Sequence, residues 1–125
     1  MKSVKNTVKK KNAILPQEAD EILIGEHCPV RKAMEIVGGK WKLFIIQQIG
    51  KKTLRYGDIK RAIPDITEKM LIQELKSLVE AGVVHKKSFG EIPPRVEYTL
   101  TEKGKKALPL LKQIKKFGVF LQEQG

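Results

Sequence analysis

Polar side chains recur on one side of a helix that the sequence predicts over residues 67–80. They share the ability to hydrogen bond to nucleic-acid bases or phosphates, and they are Thr67, Lys69, Gln73, Lys76 and Ser77. A glutamine amide can pair with adenine through two hydrogen bonds, whereas a lysine ammonium can reach guanine or a phosphate. Thr67 and the unbonded N–H groups of the first helical turn suit a phosphate oxygen. The alternative is a solvated helix face, which residues of these types usually form.

A second basic group follows this helix along the chain. Lys86, Lys87 and Arg95 fall in a predicted β-hairpin with strands over residues 83–89 and 95–100 and a connecting loop over residues 90–94. Their cations can reach the phosphate backbone or the minor groove beside a helix bound in the major groove. Together the two groups favour a nucleic-acid contact.

Cys28 is the only cysteine, so an intrachain disulfide is impossible. It precedes Pro29, a residue favoured in the first turn of a helix, and we expect its sulfur near the positive end of a helix dipole. Two interpretations stay open: a reactive, redox-sensing thiol, or a small buried residue that packs the helix.

With His27 and His85 as the only histidines, the sequence has no recognisable metal site, cofactor motif or catalytic set. We therefore expect no metal, no cofactor and no enzymatic activity.

The formal net charge of +11 comes from 25 basic against 14 acidic residues in a chain of 125. Such an excess attracts polyanions, which favours nucleic acid or an acidic membrane surface as a partner. The sequence contains no apolar run of membrane-spanning length and no secretory signal, so we expect a cytoplasmic protein without a membrane partner. Residues 1–26 are interpreted as a basic N-terminal arm with a lead-in segment, and residues 27–125 as one folded domain.

Apolar periodicity and helix-ending residues predict the elements that position these groups. The predicted helices cover residues 29–37, 40–49, 57–63, 67–80 and about 101–123, with a short extended piece at 53–56. The third and fourth helices, separated by residues 64–66, have the spacing of a helix-turn-helix, and the hairpin behind them would be its wing. We predict a mainly α fold with a small β-hairpin wing, a winged helix-turn-helix, with helix 67–80 in the major groove of double-stranded DNA.

The last predicted helix begins after Thr101, contains Pro109 as a bend, and carries an apolar stripe wider than a domain of this size needs. A second copy of the chain could cover that stripe. The predicted homodimer interface consists of Leu110, Ile114, Phe117, Phe120 and Leu121. A two-fold dimer would place two recognition helices on an inverted-repeat operator.

Residues 27–118 resemble the HxlR-type transcriptional regulators, a winged helix-turn-helix branch related in architecture to MarR proteins. The matching stretches are Cys28-Pro-Val30, Ile36-Val-Gly-Gly-Lys-Trp-Lys42, Arg55-Tyr-Gly-Asp-Ile59, Ile63-Pro-Asp-Ile-Thr67, Lys69 to Leu78, Gly82-Val-Val84, Pro93-Pro-Arg-Val-Glu-Tyr-Thr-Leu-Thr101 and Leu108-Pro109. The resemblance implies a dimeric DNA-binding repressor or activator whose N-terminal region and last helix form the interface. It also implies a sensing role for Cys28, because several such regulators sense electrophiles or oxidants through a cysteine at the Cys-Pro position.

Three residues depart from the pattern of that family. Ile72 replaces the usual threonine or serine, Val79 the usual glutamate, and Phe117 the usual tryptophan. Ile72 lies on the flank of the buried stripe, where it either packs inward or contacts a thymine methyl group. We expect a sequence-specific regulator with an inducer that is a small molecule or an oxidant. The alternative is a winged-helix module that binds protein or RNA without operator specificity.

Overall fold

A computed structural model describes residues 27–125 of the chain. The chain divides into two compact units, Met1–Gly38 and Gly39–Gly125. In the described part of the first unit, helix α1 (Pro29–Val37) begins at its proline and ends at Gly38, whose N–H donates to the carbonyl of Met34. Both limits agree with the prediction. The predicted arm and lead-in segment, residues 1–26, lie outside the described residues.

The second unit contains short helices around a small antiparallel sheet. Its elements are α2 (Lys42–Ile49), β1 (Leu54–Arg55), α3 (Tyr56–Ala62), α4 (Glu68–Glu80), β2 (Val84–Phe89), β3 (Arg95–Leu100), α5 (Glu102–Lys105) and α6 (Leu108–Gln124). This order is that of a winged helix-turn-helix, as predicted. Each helix among residues 27–125 is too short or too polar to span a lipid bilayer.

Helix α2 is the centre of the core in this unit. Ile45, Ile46 and Ile49 are fully buried, and α2 contacts α3, α4, β3 and α6. The helix begins at Lys42, two residues later than predicted, and ends at Gly50, whose positive φ of 52° favours glycine. A helix with apolar residues on most of its circumference is stable only when other elements surround it.

The helix-turn-helix consists of α3, a five-residue turn and α4. The turn buries Ile63 and Ile66, and Pro64 follows the end of α3 because proline cannot continue a helix. Thr67 caps α4 as predicted, since its hydroxyl accepts the N–H of Met70 at 3.1 Å. The bounds predicted from the sequence for the two helices of this motif therefore lie within one residue of those in the structure.

The wing is formed by β2 and β3, which pair in antiparallel register from Val84 opposite Leu100 to Phe89 opposite Arg95. The short strand β1 joins the other edge of β3, with Leu54 opposite Tyr98, and the strand order is β1-β3-β2. The sequence predicted the hairpin and an extended piece at 53–56, but it did not predict their pairing. That pairing fixes the wing to the segment that precedes α3.

The prediction of one bent C-terminal helix is wrong. The structure has two helices, α5 and α6, with Pro109 in the first turn of α6. A proline inside a continuous helix would lack a hydrogen-bond donor and would clash with the preceding turn. In a first turn no such donor is needed, so the chain ends one helix and starts another.

A cluster of short contacts joins the end of α4 to α5. The Thr101 hydroxyl donates to the carbonyl of Gly82 at 2.6 Å and accepts the N–H of Gly104 at 2.9 Å, and the N–H of Thr101 donates to the carbonyl of Val83. A Cβ atom at Gly104 would lie 2.1 Å from the carbonyl oxygen of Val83, so only glycine permits this approach. The cluster ties the end of α4 to the elements around the wing.

Candidate nucleic-acid interface

The exposed side of α4 carries the predicted base-contacting residues. Lys69, Ile72, Gln73 and Lys76 are all exposed, and we call these four residues the recognition face. The helical spacing of the four places them side by side along one face. Ser77, also predicted for this face, is half-buried at its flank.

The opposite side of α4 is held in the core. Leu71, Leu75 and Leu78 are buried, with at most 2% of each residue exposed. In addition, the ammonium of Lys42 on α2 donates to the carboxylate of Glu74 on α4 at 2.5 Å. Both side chains are largely buried, with 16% and 17% exposed. The sequence alone does not indicate this pair, because the partners lie 32 residues apart and neither one is conspicuous alone.

The recognition face retains unneutralised positive charge. Within residues 27–125 no salt bridge involves Lys69 or Lys76, whereas Glu74 is occupied by Lys42. Two acidic residues of α4 are exposed, Glu68 in the first turn and Glu80 in the last, and neither belongs to the recognition face. Thr67 uses an oxygen lone pair for the cap but can still donate its hydroxyl proton to a phosphate.

In the wing, Lys86 and Lys87 are exposed to solvent, whereas Arg95 contacts other side chains of the hairpin. Both lysines are exposed on β2, and the Lys87 ammonium lies 5.0 Å from the centre of the Phe89 ring. The Arg95 guanidinium stacks 3.9 Å from the same ring centre. It also pairs with Glu91 at 3.2 Å and Glu97 at 3.6 Å, and 27% of its side chain is exposed. Two carboxylates thus offset the Arg95 charge, and its position braces the loop end of the hairpin.

Hydrogen bonds at the start of α3 fix the other half of the motif. The N–H of Arg55 donates to the carboxylate of Asp58 at 2.9 Å, and the Arg61 guanidinium donates to it at 2.7 Å. The backbone hydrogen bond, with a further contribution from Arg61, lowers the pKa of Asp58 against a smaller opposing effect of desolvation. Burial, with a smaller contribution from Tyr56, raises the pKa of Tyr98 in the sheet.

The predicted dimer residues form an exposed apolar surface on α6. All five of them (Leu110, Ile114, Phe117, Phe120 and Leu121) are exposed, and no residue of α6 is buried. The rings of Phe117 and Phe120 are stacked with centres 6.4 Å apart. Val119, which was not among the predicted interface residues, is exposed as well.

Cys28 lies at the N-cap of α1, as its place before Pro29 predicted. Only 3% of the residue is exposed, and its carbonyl accepts the N–H of Lys32 at 3.0 Å. This burial agrees with the packing interpretation of the residue. Among residues 27–125 no group of three or more histidine, cysteine, aspartate or glutamate side chains is placed to hold a metal ion.

Comparison with known proteins agrees with this geometry. The profile of the HxlR-like helix-turn-helix family matches residues 36–124. The HTH-type transcriptional regulator YdzF of Bacillus subtilis (strain 168) is 39% identical over 95 residues, which cover 75% of this chain and 87% of that protein.

Two solved structures are similar in fold and in sequence. A MarR-family transcriptional regulator from Porphyromonas gingivalis W83 superimposes with a TM-score of 0.76 and 55% identity, covering 78% of this chain and 96% of that one. The redox regulator HypR in its oxidised form has a TM-score of 0.69 and 36% identity, with coverages of 73% and 94%.

The ion pair between Lys42 and Glu74 generates a prediction about stability. Glu74→Ala leaves the Lys42 ammonium largely buried without its partner, and we expect a loss of about 2 kcal/mol in the free energy of unfolding. The double variant Lys42→Met/Glu74→Leu replaces the pair by apolar groups of similar size and should recover most of that loss. Urea unfolding followed by circular dichroism measures both effects.

Glu35→Ala is the matched control, because it removes the same charge from the exposed pair between Arg31 and Glu35. We expect this control to change the unfolding free energy by less than about 0.5 kcal/mol. Equal effects of Glu74→Ala and Glu35→Ala would contradict the assignment of a structural role to the buried pair.

Proposed function

The chain belongs to the HxlR-like helix-turn-helix family of transcriptional regulators, and we propose that it binds double-stranded DNA at a specific operator through α4 and the wing. One observation carries this proposal. The recognition face of α4 is exposed and basic, while the buried leucines and Glu74 on the opposite side attach the same helix to the core. Such an arrangement presents side chains to a partner on a rigid support.

The dimensions of α4 fit the major groove of B-DNA. The helix has 13 residues, and a helix is about 10–12 Å across with its side chains, which matches the width of the groove. In this position Gln73 pairs with adenine, while Lys69 and Lys76 bind guanine or phosphate. Thr67 donates to a phosphate at the N-terminal end of α4.

The wing lysines bind the flanking DNA. Lys86 and Lys87 are exposed on β2 and supply charge to the neighbouring phosphates. Arg95 has a different role in this proposal, because Glu91, Glu97 and Phe89 already engage its guanidinium. It keeps the hairpin in the shape that carries the two lysines to the DNA.

Selection of binding sites from a random duplex library tests the proposed function. We expect enrichment of an inverted repeat whose half-sites lie about one helical turn apart. Gln73→Ala should relax one base position in each half-site and cost about 1–3 kcal/mol there. Lys76→Ala should instead weaken binding to all sequences and reduce the dependence of affinity on salt, because one phosphate contact is lost.

The outcomes of this selection separate the candidate functions. Failure to enrich any duplex sequence, with the protein folded, would overturn the proposal and favour the alternative of a module that binds RNA or protein. Equal losses on operator and random DNA for Gln73→Ala would remove that residue from the base contacts.

We also propose that a second copy of the chain covers the apolar surface of α6. Phe117 has 61% of its surface exposed, and its four apolar neighbours on the helix are exposed to between 41% and 52%. Monomeric proteins rarely expose a continuous apolar patch of more than a few hundred Å², and a larger one usually marks an interface. A two-fold axis through α6 would also supply the two recognition helices that an inverted repeat requires.

Sedimentation velocity tests the dimer. The wild type should sediment as a dimer at micromolar concentration, whereas Phe117→Glu should sediment as a folded monomer because a carboxylate at the centre of the interface would be desolvated. Gln122→Glu is the control, since it adds the same charge to α6 on the side away from Leu110 and Phe117. A monomeric wild type, with and without operator DNA, would contradict this part of the proposal.

The third part of the proposal assigns to Cys28 the response to electrophiles or oxidants. Its sulfur belongs to the N-cap residue of α1, close to the unbonded N–H groups of the first helical turn, and one similar structure is a redox regulator in its oxidised form. Since only 3% of Cys28 is exposed, the reaction requires local opening of the start of α1. Modification there would then change the affinity for the operator.

Treatment with diamide and glutathione tests this assignment. Diamide takes up two electrons and two protons as one protein thiol and one glutathione thiol join in a disulfide. We expect operator affinity to fall for the wild type and to stay constant for Cys28→Ser, with mass spectrometry counting the attached glutathione. The same response from both proteins, or from neither, would assign Cys28 to packing alone.

A further inference from the structure

Ile72 is an exposed β-branched apolar residue in the middle of the recognition face. It has 58% of its surface exposed, between the polar residues Lys69, Gln73 and Lys76 on the surface of α4. Helix propensity does not favour isoleucine at an exposed position, because branching at Cβ restricts its rotamers. Burial does not explain it either, since the leucines of α4 already fill the core side.

Lysines flank Ile72 both on α4 and on the wing. It borders a cleft between α4 and the wing whose charged lining residues are Lys76, Lys86 and Glu80, with an excess of one positive charge. Phosphates drawn to these two lysines would hold a DNA strand across the cleft mouth. The isoleucine would then face the base edges between them, because helical side chains lean toward the N-terminal end of the helix, the end that enters the groove.

One group on the base edges of the major groove is apolar and complements this side chain. Thymine carries a methyl group at C5, whereas guanine, adenine and cytosine present hydrogen-bond donors and acceptors. We infer that Ile72 contacts the methyl group of a thymine in each half-site and thereby selects that base. The inference rests on the proposed DNA binding by α4 and adds a specificity residue to it.

The contact also accounts for the position of Ile72 next to Gln73. Gln73 is proposed to pair with adenine, and successive positions on a helix are separated by about 100°. The side chain of Ile72 can therefore contact a base pair next to the one that contains the adenine bound by Gln73. A polar side chain at position 72 could not gain the same free energy from a methyl group, because its desolvation would oppose the contact.

Replacement of single thymines by deoxyuridine in the selected operator tests the inference. Deoxyuridine keeps the base pair and removes only the methyl group. We expect the wild type to lose about fourfold in affinity at one thymine of each half-site, the loss expected for one buried methyl group. Ile72→Ala should bind the thymine operator more weakly and should show no loss at that deoxyuridine. Its unfolding midpoint should not fall below that of the wild type, because the side chain is exposed and alanine has the higher helix propensity.

Gln73→Ala is the matched control on the same face, and it should keep the sensitivity of the wild type to the deoxyuridine substitution. If an operator is selected but wild type and Ile72→Ala respond equally to every deoxyuridine, or the half-site has no thymine, the inference is overturned and the proposed DNA binding stands. If no duplex is selected, the proposed function itself fails, and the inference fails with it.

Discussion

The packing of α4 against the core, by its buried leucines and by the ion pair between Lys42 and Glu74, is the constraint on which the presentation of α4 depends. The ion pair joins the central helix α2 to the side of α4 that also carries the buried leucines. Because the pair is largely shielded from water, the loss of one partner would leave an uncompensated charge, whereas apolar residues in place of both partners would preserve the attachment of α4. Since one side of α4 is attached to the core in this way, the recognition face on the other side remains exposed and can contact a partner.

The function of the wing depends on how its charges are distributed. Arg95 stands in a stretch that resembles the HxlR-type pattern, and its charge and position predicted a DNA contact. The structure pairs it with Glu91 and Glu97 over the Phe89 ring, which offsets its charge, and the DNA contact itself stays a prediction. The exposed lysines of β2 then supply the charge that reaches outward. A basic residue in such a motif either carries an exposed positive charge or stabilises the local structure, and the residues that surround it determine which role it has.

Local signals made much of this fold predictable from the sequence. The cap at Thr67, the leucine spacing and the glycine at 82 set the limits of α4, and alternation set the hairpin. Interactions between distant residues were not predictable in the same way. The pair of Lys42 with Glu74 and the pairing of β1 with β3 depend on tertiary packing, for which one sequence carries no periodic signal. Pro109 was interpreted as a bend, although proline in a first turn is equally consistent with a new helix.

Photo-crosslinking tests most directly the central claim, that the recognition face of α4 is the surface that contacts DNA. The photoreactive residue p-benzoylphenylalanine would replace Gln73 on α4 or, in a second protein, Lys112 on α6, and each protein would be irradiated with duplex DNA. Both positions are exposed, so accessibility alone does not separate them. The account predicts cross-links to DNA from position 73 and none from position 112. Cross-links from position 112 with none from position 73 would contradict it.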